Sequence, residues 1–278
     1  MATLFTKAVT INAAGKDVVF DGIDFTEEAL VTITGAQSVK ITNCRIYNLK
    51  PNKEKANFML LSGNNVKLMV DHCFFGGNQV IETVEGEGEG QTTKVQQIYN
   101  LFELNGTLAN GSYCAENYVQ LGKGGCCSHN FFNIYGAEAE ATISVSGNEM
   151  IMDGTSYGDF MRIGVKGAVK CTINVQNNVI KCNKAPYYKN ATIIQPYNTQ
   201  TTSFKDMTVN YKDNVFPAGM IYPVQMYNGK RDTQITEELA PTIYIDGKKL
   251  EYKDLPYQDY YGNVYYPGRG EEGKFPEA

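Results

Sequence analysis

VKITNCRI, residues 39–46, decides the fold, because the same phrase returns along the chain as LMVDHCFF (68–75), ISVSGNEM (143–150), INVQNNVI (173–180) and VNYKDNVF (209–216). Each copy reads apolar, any, apolar, any, turn-former, Asn or Cys, any, apolar. Alternation of two apolar residues makes a short strand with one inward face, the turn-former bends the chain, and the closing apolar residue opens the next face. VVFDGIDF (18–25) is a degenerate first copy with Ile23 in the Asn/Cys slot. Two weaker copies end at Val119 (with Cys114, Glu116 and Asn117) and at Phe132 (with Cys127, His129 and Asn130), keeping only the second half of the phrase.

A single copy cannot bury its apolar side, so copies must stack, each strand pairing with its equivalents above and below. The closing apolar residues fall at positions 25, 46, 75, 150, 180 and 216, an irregular spacing that variable loops between stacked units produce. Asn tolerates the left-handed region and bonds to its neighbours, which puts Asn43, Asn117, Asn130, Asn148, Asn177, Asn178 and Asn214 at corners. Cys44 and Cys73 share one corner slot, and Cys114 and Cys127 share an inward strand slot. The expected fold is all-β, a right-handed single-stranded parallel β-helix over residues 1–219, followed by a C-terminal hairpin or extended module over 220–278.

The pattern resembles the repeat of the parallel β-helix superfamily, which includes pectate lyases, polygalacturonases and many phage tailspikes and surface proteins. The resemblance covers about Asp17 to Phe216. It implies architecture and not activity, since fold does not fix function.

Composition narrows the classes. The chain has 278 residues, a net charge of −5, 42% hydrophobic residues and no Trp. No basic run or stripe is available to neutralise phosphates, so nucleic acid is not an expected partner. No run of about 18 apolar residues exists to cross a membrane as a helix, and the opening MATLFTKAVT lacks the layout of a secretory signal. The mature chain is therefore expected to start at Met1. Seven cysteines, an odd number without CxxC spacing or nearby histidines, argue against zinc and for reduced, buried thiols in a cytoplasm. No cofactor and no metal are expected.

Beyond Phe216 the composition shifts to Tyr and Pro. PTIYIDGKKLEY turns at Asp246-Gly247 and DYYGNVYYPG turns at Gly262-Asn263, both hairpin signals. Tyr257, Tyr260, Tyr261, Tyr265 and Tyr266 form a low-charge aromatic surface suited either to contact with another chain or to covering the last coil. Two polar stretches, Lys50–Asn57 and ETVEGEGEGQ (82–91), read as excursions. Glu82, Glu85, Glu87 and Glu89 could gather calcium, but a solvated acidic loop is the simpler reading because no Asp-rich ligand spacing accompanies them.

Catalytic constellations are partial. Asp71-His72-Cys73 resembles a run found in some pectate lyases, yet the repeat itself generates it when His fills a corner, and the arginine-rich partner motif is missing. Asp153 and Asp159 followed by Arg162-Ile163 imitate the paired carboxylates and Arg-Ile-Lys run of polygalacturonases, but Gly164 replaces the Lys and no Gly-His-Gly phrase occurs. The two histidines, His72 and His129, both sit at repeat corners. No Gly-x-Ser-x-Gly elbow is present.

The favoured expectation is a non-catalytic structural protein of a bacteriophage particle, a head decoration, head fibre or related appendage, assembled in the host cytoplasm into the virion. Its expected partners are other virion proteins of the capsid or fibre, and a homo-oligomer, dimer or trimer, is expected as well. The alternatives are a polysaccharide lyase or hydrolase of the tailspike depolymerase kind, working through Asp71, Asp153, Asp159 and Arg162, and a bacterial surface adhesin.

Overall fold

A computed structural model describes residues 3–85, 91–122, 124–152, 159–164, 169–182, 192–198, 203–217, 226–228, 236–258, 264–266 and 269. These are almost entirely β-strand, with two single-turn 3₁₀ segments, Glu237–Leu239 and Tyr252–Asp254. Among them no helix is long and apolar enough to cross a membrane.

The strands fall into three parallel sheets that the chain visits in a fixed order. A first sheet holds Thr3–Phe5, Ile23–Glu27, Arg45–Leu49, Phe74–Phe75, Tyr118–Leu121, Glu149–Met152 and Val179–Cys182. A second holds Val9–Asn12, Val31–Thr34, the start of the long strand Lys55–Asp71, Thr92–Leu108, Asn130–Ala137, Asp159–Ile163 and Thr192–Asn198. The third holds Asp17–Asp21, Ser38–Thr42, the end of Lys55–Asp71, Tyr113–Ala115, Ala141–Ser146, Cys171–Gln176, Thr208–Lys212 and Thr242–Ile245.

Register explains why the repeat is spelled as it is. In the third sheet Phe20, Ile41, Val70, Cys114, Val145, Val175, Tyr211 and Ile245 are paired one above another. The first sheet stacks Phe5, Phe25, Ile46, Phe75, Val119, Met150 and Ile180, and the second stacks Ile11, Ile33, Leu61, Leu104, Ile134 and Ile163. A slip of one residue would turn a whole column to solvent, so the alternation and the pairing enforce each other. The three columns join one apolar core. Inside it Phe58, Phe75, Phe131 and Phe132 each meet Phe102 at ring-centroid distances of 5.2–5.8 Å, and Phe131 stacks on Phe160 at 4.9 Å.

Where the third sheet ends, one residue per layer takes a left-handed conformation: Gly22, Asn43, His72, Glu116, Gly147, Asn177, Asp213 and Asp246, with φ between 48° and 65°. Gly, Asn and Asp fill most of this column because they tolerate that region at least cost. The turn aims the next residue inward, and there the polar ladder stands. Asn117 Nδ2 donates to Asn148 Oδ1, Asn148 Nδ2 to Asn178 Oδ1 and Asn178 Nδ2 to Asn214 Oδ1, each at 2.9 Å. The same amides donate to backbone carbonyls of Val70, Cys114, Val145 and Val175 that face the bend. Cys44 and Cys73 continue the column, and the Cys44 N–H donates to Cys73 Sγ at 3.4 Å.

Of the asparagines expected at corners, Asn43 and Asn177 sit at the bend but outside the ladder, and Asn130 lies on another sheet. Asn43 occupies the exposed left-handed slot one residue earlier and donates to Asp21 Oδ1 at 2.9 Å. Asn130 belongs to the second sheet, paired with Asn100 and Asp159, so the phrase ending at Phe132 is not a further copy of the corner. Its chain arrives from the turn at Gly122–Gly125 and reaches a different sheet, which a match of residue types alone does not register.

Parallel pairing runs on past residue 219: Thr242–Ile245 lies on Thr208–Lys212, and Met226–Asn228 pairs with both Thr192–Asn198 and Tyr257–Gln258. Two antiparallel returns follow, Lys248–Lys249 on Thr242–Ile245 across Asp246-Gly247, and Val264–Tyr265 on Tyr257–Gln258. A third hairpin, Ile81–Glu85 on the first residues of Thr92–Leu108, leaves the second sheet sideways.

Candidate functional site

The outer face of the second sheet carries two polar columns side by side. Register places Asn57, Asn100, Asn130 and Asp159 in one, and Glu103, Asn133, Arg162 and Gln195 in the other, which starts from Leu60. Strand alternation explains the outward aim of Glu103, Asn133, Arg162 and Gln195, since Phe102, Leu104, Phe132, Ile134, Met161 and Ile163 beside them are in the core.

Arg162 is the centre of the patch. Its Nη2 lies 3.3 Å from Asp159 Oδ2, its Nε donates to Gln195 Oε1 at 2.9 Å, and its guanidinium carbon sits 4.3 Å above the Tyr197 ring. Asp159 is almost fully buried, and burial raises its pKa to about 7 even against the Arg162 charge and hydrogen bond. One strand away, Asn130 Nδ2 donates to Asn100 Oδ1 at 2.7 Å, and Asn100 and Asn57 both donate to Glu103 Oε2 at 3.0 Å. His129 stacks on Tyr99 at 3.7 Å with Lys55 over the other ring system, and burial, with the charges of Arg162 and Lys55, lowers its pKa to about 3. The imidazole is therefore neutral at physiological pH.

Four buried side-chain oxygens on this one sheet, Asn105 Oδ1, Asn130 Oδ1, Asn133 Oδ1 and Asp159 Oδ1, have no hydrogen-bond partner among the described residues. Buried acceptors are ordinarily satisfied, so four such oxygens on one sheet set it apart from the other two. Proton transfer by paired carboxylates needs a second acid about 5–10 Å from Asp159. Glu103 stands two strands from Arg162 and its Oε2 already accepts two amide bonds, and Asp153 lies outside the described residues.

Asp71, the other carboxylate of interest, is on the third sheet and far from that patch in register. Its carboxylate is already engaged: Thr42 Oγ1 and His72 Nδ1 contact Oδ1, Tyr113 donates to Oδ2 at 2.7 Å, and Lys40 Nζ lies at 4.0 Å. Burial works to raise its pKa, but the hydrogen bonds from Thr42, Tyr113 and His72 outweigh it and hold the group below the usual range. The Asp71 hydrogen bond in turn raises the pKa of His72, whose Nε2 reaches Glu116 Oε2 at 2.6 Å. Asp71 and Arg162 are not brought together.

The cysteines Cys44, Cys73, Cys114, Cys126, Cys127 and Cys171 are free and buried. Cys126 and Cys127 put their sulfurs 3.9 Å apart, and burial raises the thiol pKa of Cys126, Cys114 and Cys171, the last to about 12. Glu85 pairs with Lys94 at 2.7 Å on the side hairpin; Glu87 and Glu89 lie outside the described residues. Among the described residues no group of three or more His, Cys, Asp or Glu is placed to hold a metal ion.

Of the tyrosines, Tyr257 and Tyr265 are opposite each other in the last antiparallel pair, and Tyr266 lies under Arg269 at 3.9 Å, with Arg269 bonded to Asp254. Tyr260 and Tyr261 lie outside the described residues. Sequence reasoning missed Tyr99, Asn100, Glu103, Asn133, Gln195 and Tyr197. They belong to the second sheet, which the repeat phrase does not spell, and only the register aligns them.

Comparisons of the chain with protein-family models, with curated proteins and with solved structures each find no match.

Proposed function

We propose that the chain is a right-handed single-stranded parallel β-helix that serves as a non-catalytic structural protein of a bacteriophage particle, a head decoration, head fibre or related appendage. The observation that carries the non-catalytic part is the state of Asp71: the carboxylate of the lyase-like run is spent on cross-layer bonds to Thr42 and Tyr113 and has no free side for chemistry. Support for a scaffold role comes from the continuous core and the unpaired, buried thiols, which suit assembly in a reducing host cytoplasm. The partners in this reading are capsid or fibre proteins, met through the Tyr/Pro-rich end. Co-sedimentation of the purified chain with assembled particles tests it, and removal of residues 257–278 should weaken that co-sedimentation while leaving a β-rich circular dichroism spectrum. Failure of the intact chain to bind any particle that carries its gene product would refute the assignment.

A second reading, recognition or cleavage of a polysaccharide, is favoured by one observation, the partly exposed polar side chains Glu103, Asn133 and Arg162 aligned on one sheet with Tyr197 beside Arg162. Sugar hydroxyls can both donate to and accept from such side chains, and tyrosine faces can stack on sugar rings. New reducing ends or unsaturated products from host capsule, abolished by Asp159→Asn, would establish this reading in place of the first.

A further inference from the structure

The two ends of the stack are finished differently. At the C-terminal end the third sheet is turned back by the antiparallel pair Lys248–Lys249, and Tyr257–Gln258 is covered by Val264–Tyr265. At the N-terminal end nothing among the described residues covers the edge. Thr3–Phe5 pairs only with Ile23–Glu27, Val9–Asn12 only with Val31–Thr34 and Asp17–Asp21 only with Ser38–Thr42. Each leaves a row of backbone donors and acceptors open.

Side chains at this end are equally unfinished. Phe5, Ile11 and Val18 point into the core but are half-buried, whereas their stacked equivalents Phe25, Ile33 and Val39 are at most 1% exposed. On the outside, Leu4 and Val19 are 59% and 61% exposed. Natural sheets blunt open edges with charge, proline or bulges. TLF and VTIN have none of these.

We propose that this end is the interface of a two-fold homodimer in which two copies meet head to head, their first-layer strands pairing antiparallel. This rests on the β-helical reading above, which sets the three edges around one axis. The occupant must offer three strand edges and an apolar centre at once. A single extended peptide covers one edge, and at the far end of another copy two of the edges are already turned back by their returns. The same end of a second copy supplies all three.

Charge and side-chain parity select the arrangement. Antiparallel partners directly opposite each other point to the same face of a sheet. Self-pairing of Asp17–Asp21 about Val19 would set Asp17 against Asp21 of the second copy, like against like. Self-pairing of Val9–Asn12 about Thr10 instead sets Thr10 against Thr10, and inward Val9 against inward Ile11. The strand Thr3–Phe5 then meets Asp17–Asp21 of the other copy with no like charges opposed. In that register Leu4 packs on Val19, and Phe5 on Val18, so the exposed and the half-buried apolar residues at this end cover one another.

Sedimentation equilibrium should give a mass near twice 30.8 kDa at micromolar concentration. The double variant Leu4→Lys with Val19→Lys sets lysines against each other at exposed positions and should weaken dimerisation at least 100-fold with an unchanged β-rich dichroism spectrum. Thr10→Cys should cross-link two copies on a non-reducing gel under mild oxidation. A monomer at 50 µM would overturn the proposal, as would a dimer that survives the double lysine change or that fails to cross-link through position 10. An unmixed monomer that keeps its β spectrum would leave the stacked fold standing, whereas loss of that reading would appear as strands without parallel register in an experimental structure.

Discussion

Replacing Asn148 by alanine interrogates the ladder at its middle. The side chain is 1% exposed and makes bonds in both directions. Its Oδ1 accepts from the Asn117 N–H at 3.1 Å and from Asn117 Nδ2 at 2.9 Å, while its Nδ2 donates to the Cys114 carbonyl at 3.0 Å and to Asn178 Oδ1 at 2.9 Å. Asn178 Oδ1 would still accept from the Asn148 N–H, and Asn117 Nδ2 would still reach the Val70 carbonyl. One backbone group would not be rescued, the Asn117 N–H, since the Cys114 carbonyl keeps its place in the parallel ladder with Ala141–Ser146. At about 1–3 kcal/mol for a buried group left without a partner, the loss should be about 1–3 kcal/mol. Asn214→Ala cuts the same ladder at its half-buried end, where water can reach the freed Asn178 N–H, and should cost about 1 kcal/mol or less. Urea unfolding followed by circular dichroism measures both, provided that the slope is unchanged. If the two variants lose equal stability, or if Asn148→Ala loses less than about 0.5 kcal/mol, the reasoning that the ladder satisfies otherwise orphaned corner backbone is wrong.

Other outcomes follow from the same structure. Phe102→Ala removes the ring shared by Phe58, Phe75, Phe131 and Phe132 and should cost about 3–5 kcal/mol in the same assay. Asp71, held below its unfolded pKa, contributes stability above about pH 4 that disappears as pH falls through its folded pKa, so wild type should lose more stability on acidification than Asp71→Asn. Asp159 has the opposite sign: with a folded pKa of about 7 the native state holds the proton more tightly than the unfolded chain. Stability should therefore fall as pH rises from about 4 to 7, and Asp159→Asn should flatten that window. His72, raised by Asp71 and Glu116, contributes below its unfolded pKa and loses the contribution as pH rises through the folded value; His72→Asn should remove that step while keeping the left-handed corner. A water-soluble thiol reagent should leave Cys44, Cys73, Cys114, Cys126, Cys127 and Cys171 unmodified until the chain unfolds, read by mass spectrometry.

Much of the third sheet and of the corner after it was legible in the repeat phrase. Two alternating apolar residues, a turn-former and an Asn or Cys specify a strand, a left-handed bend and an inward amide or thiol, all within eight residues. The candidate patch was barely legible. Asp159 and Arg162 were visible as a pair because they stand three apart on one strand, but Asn100, Asn130, Asn133, Glu103 and Gln195 are tens of residues away and share no phrase with them. His129 looked like a second His72. The one is a buried neutral ring stacked on Tyr99 and the other an exposed corner residue between two carboxylates, a difference of surroundings that residue type does not carry.

Alone, the sequence determined that inward side chains recur with a pattern only stacking can bury, and that polar corners must be supplied with partners from equivalent corners. It determined this because alternation and left-handed turns are local properties of a few neighbouring residues. Which strands lie next to which, where the unmatched oxygens gather and which end of the stack is left open were decided by the tertiary structure. Those depend on register between strands roughly 20–50 residues apart, set by packing of the whole core and by loop lengths that no short window contains.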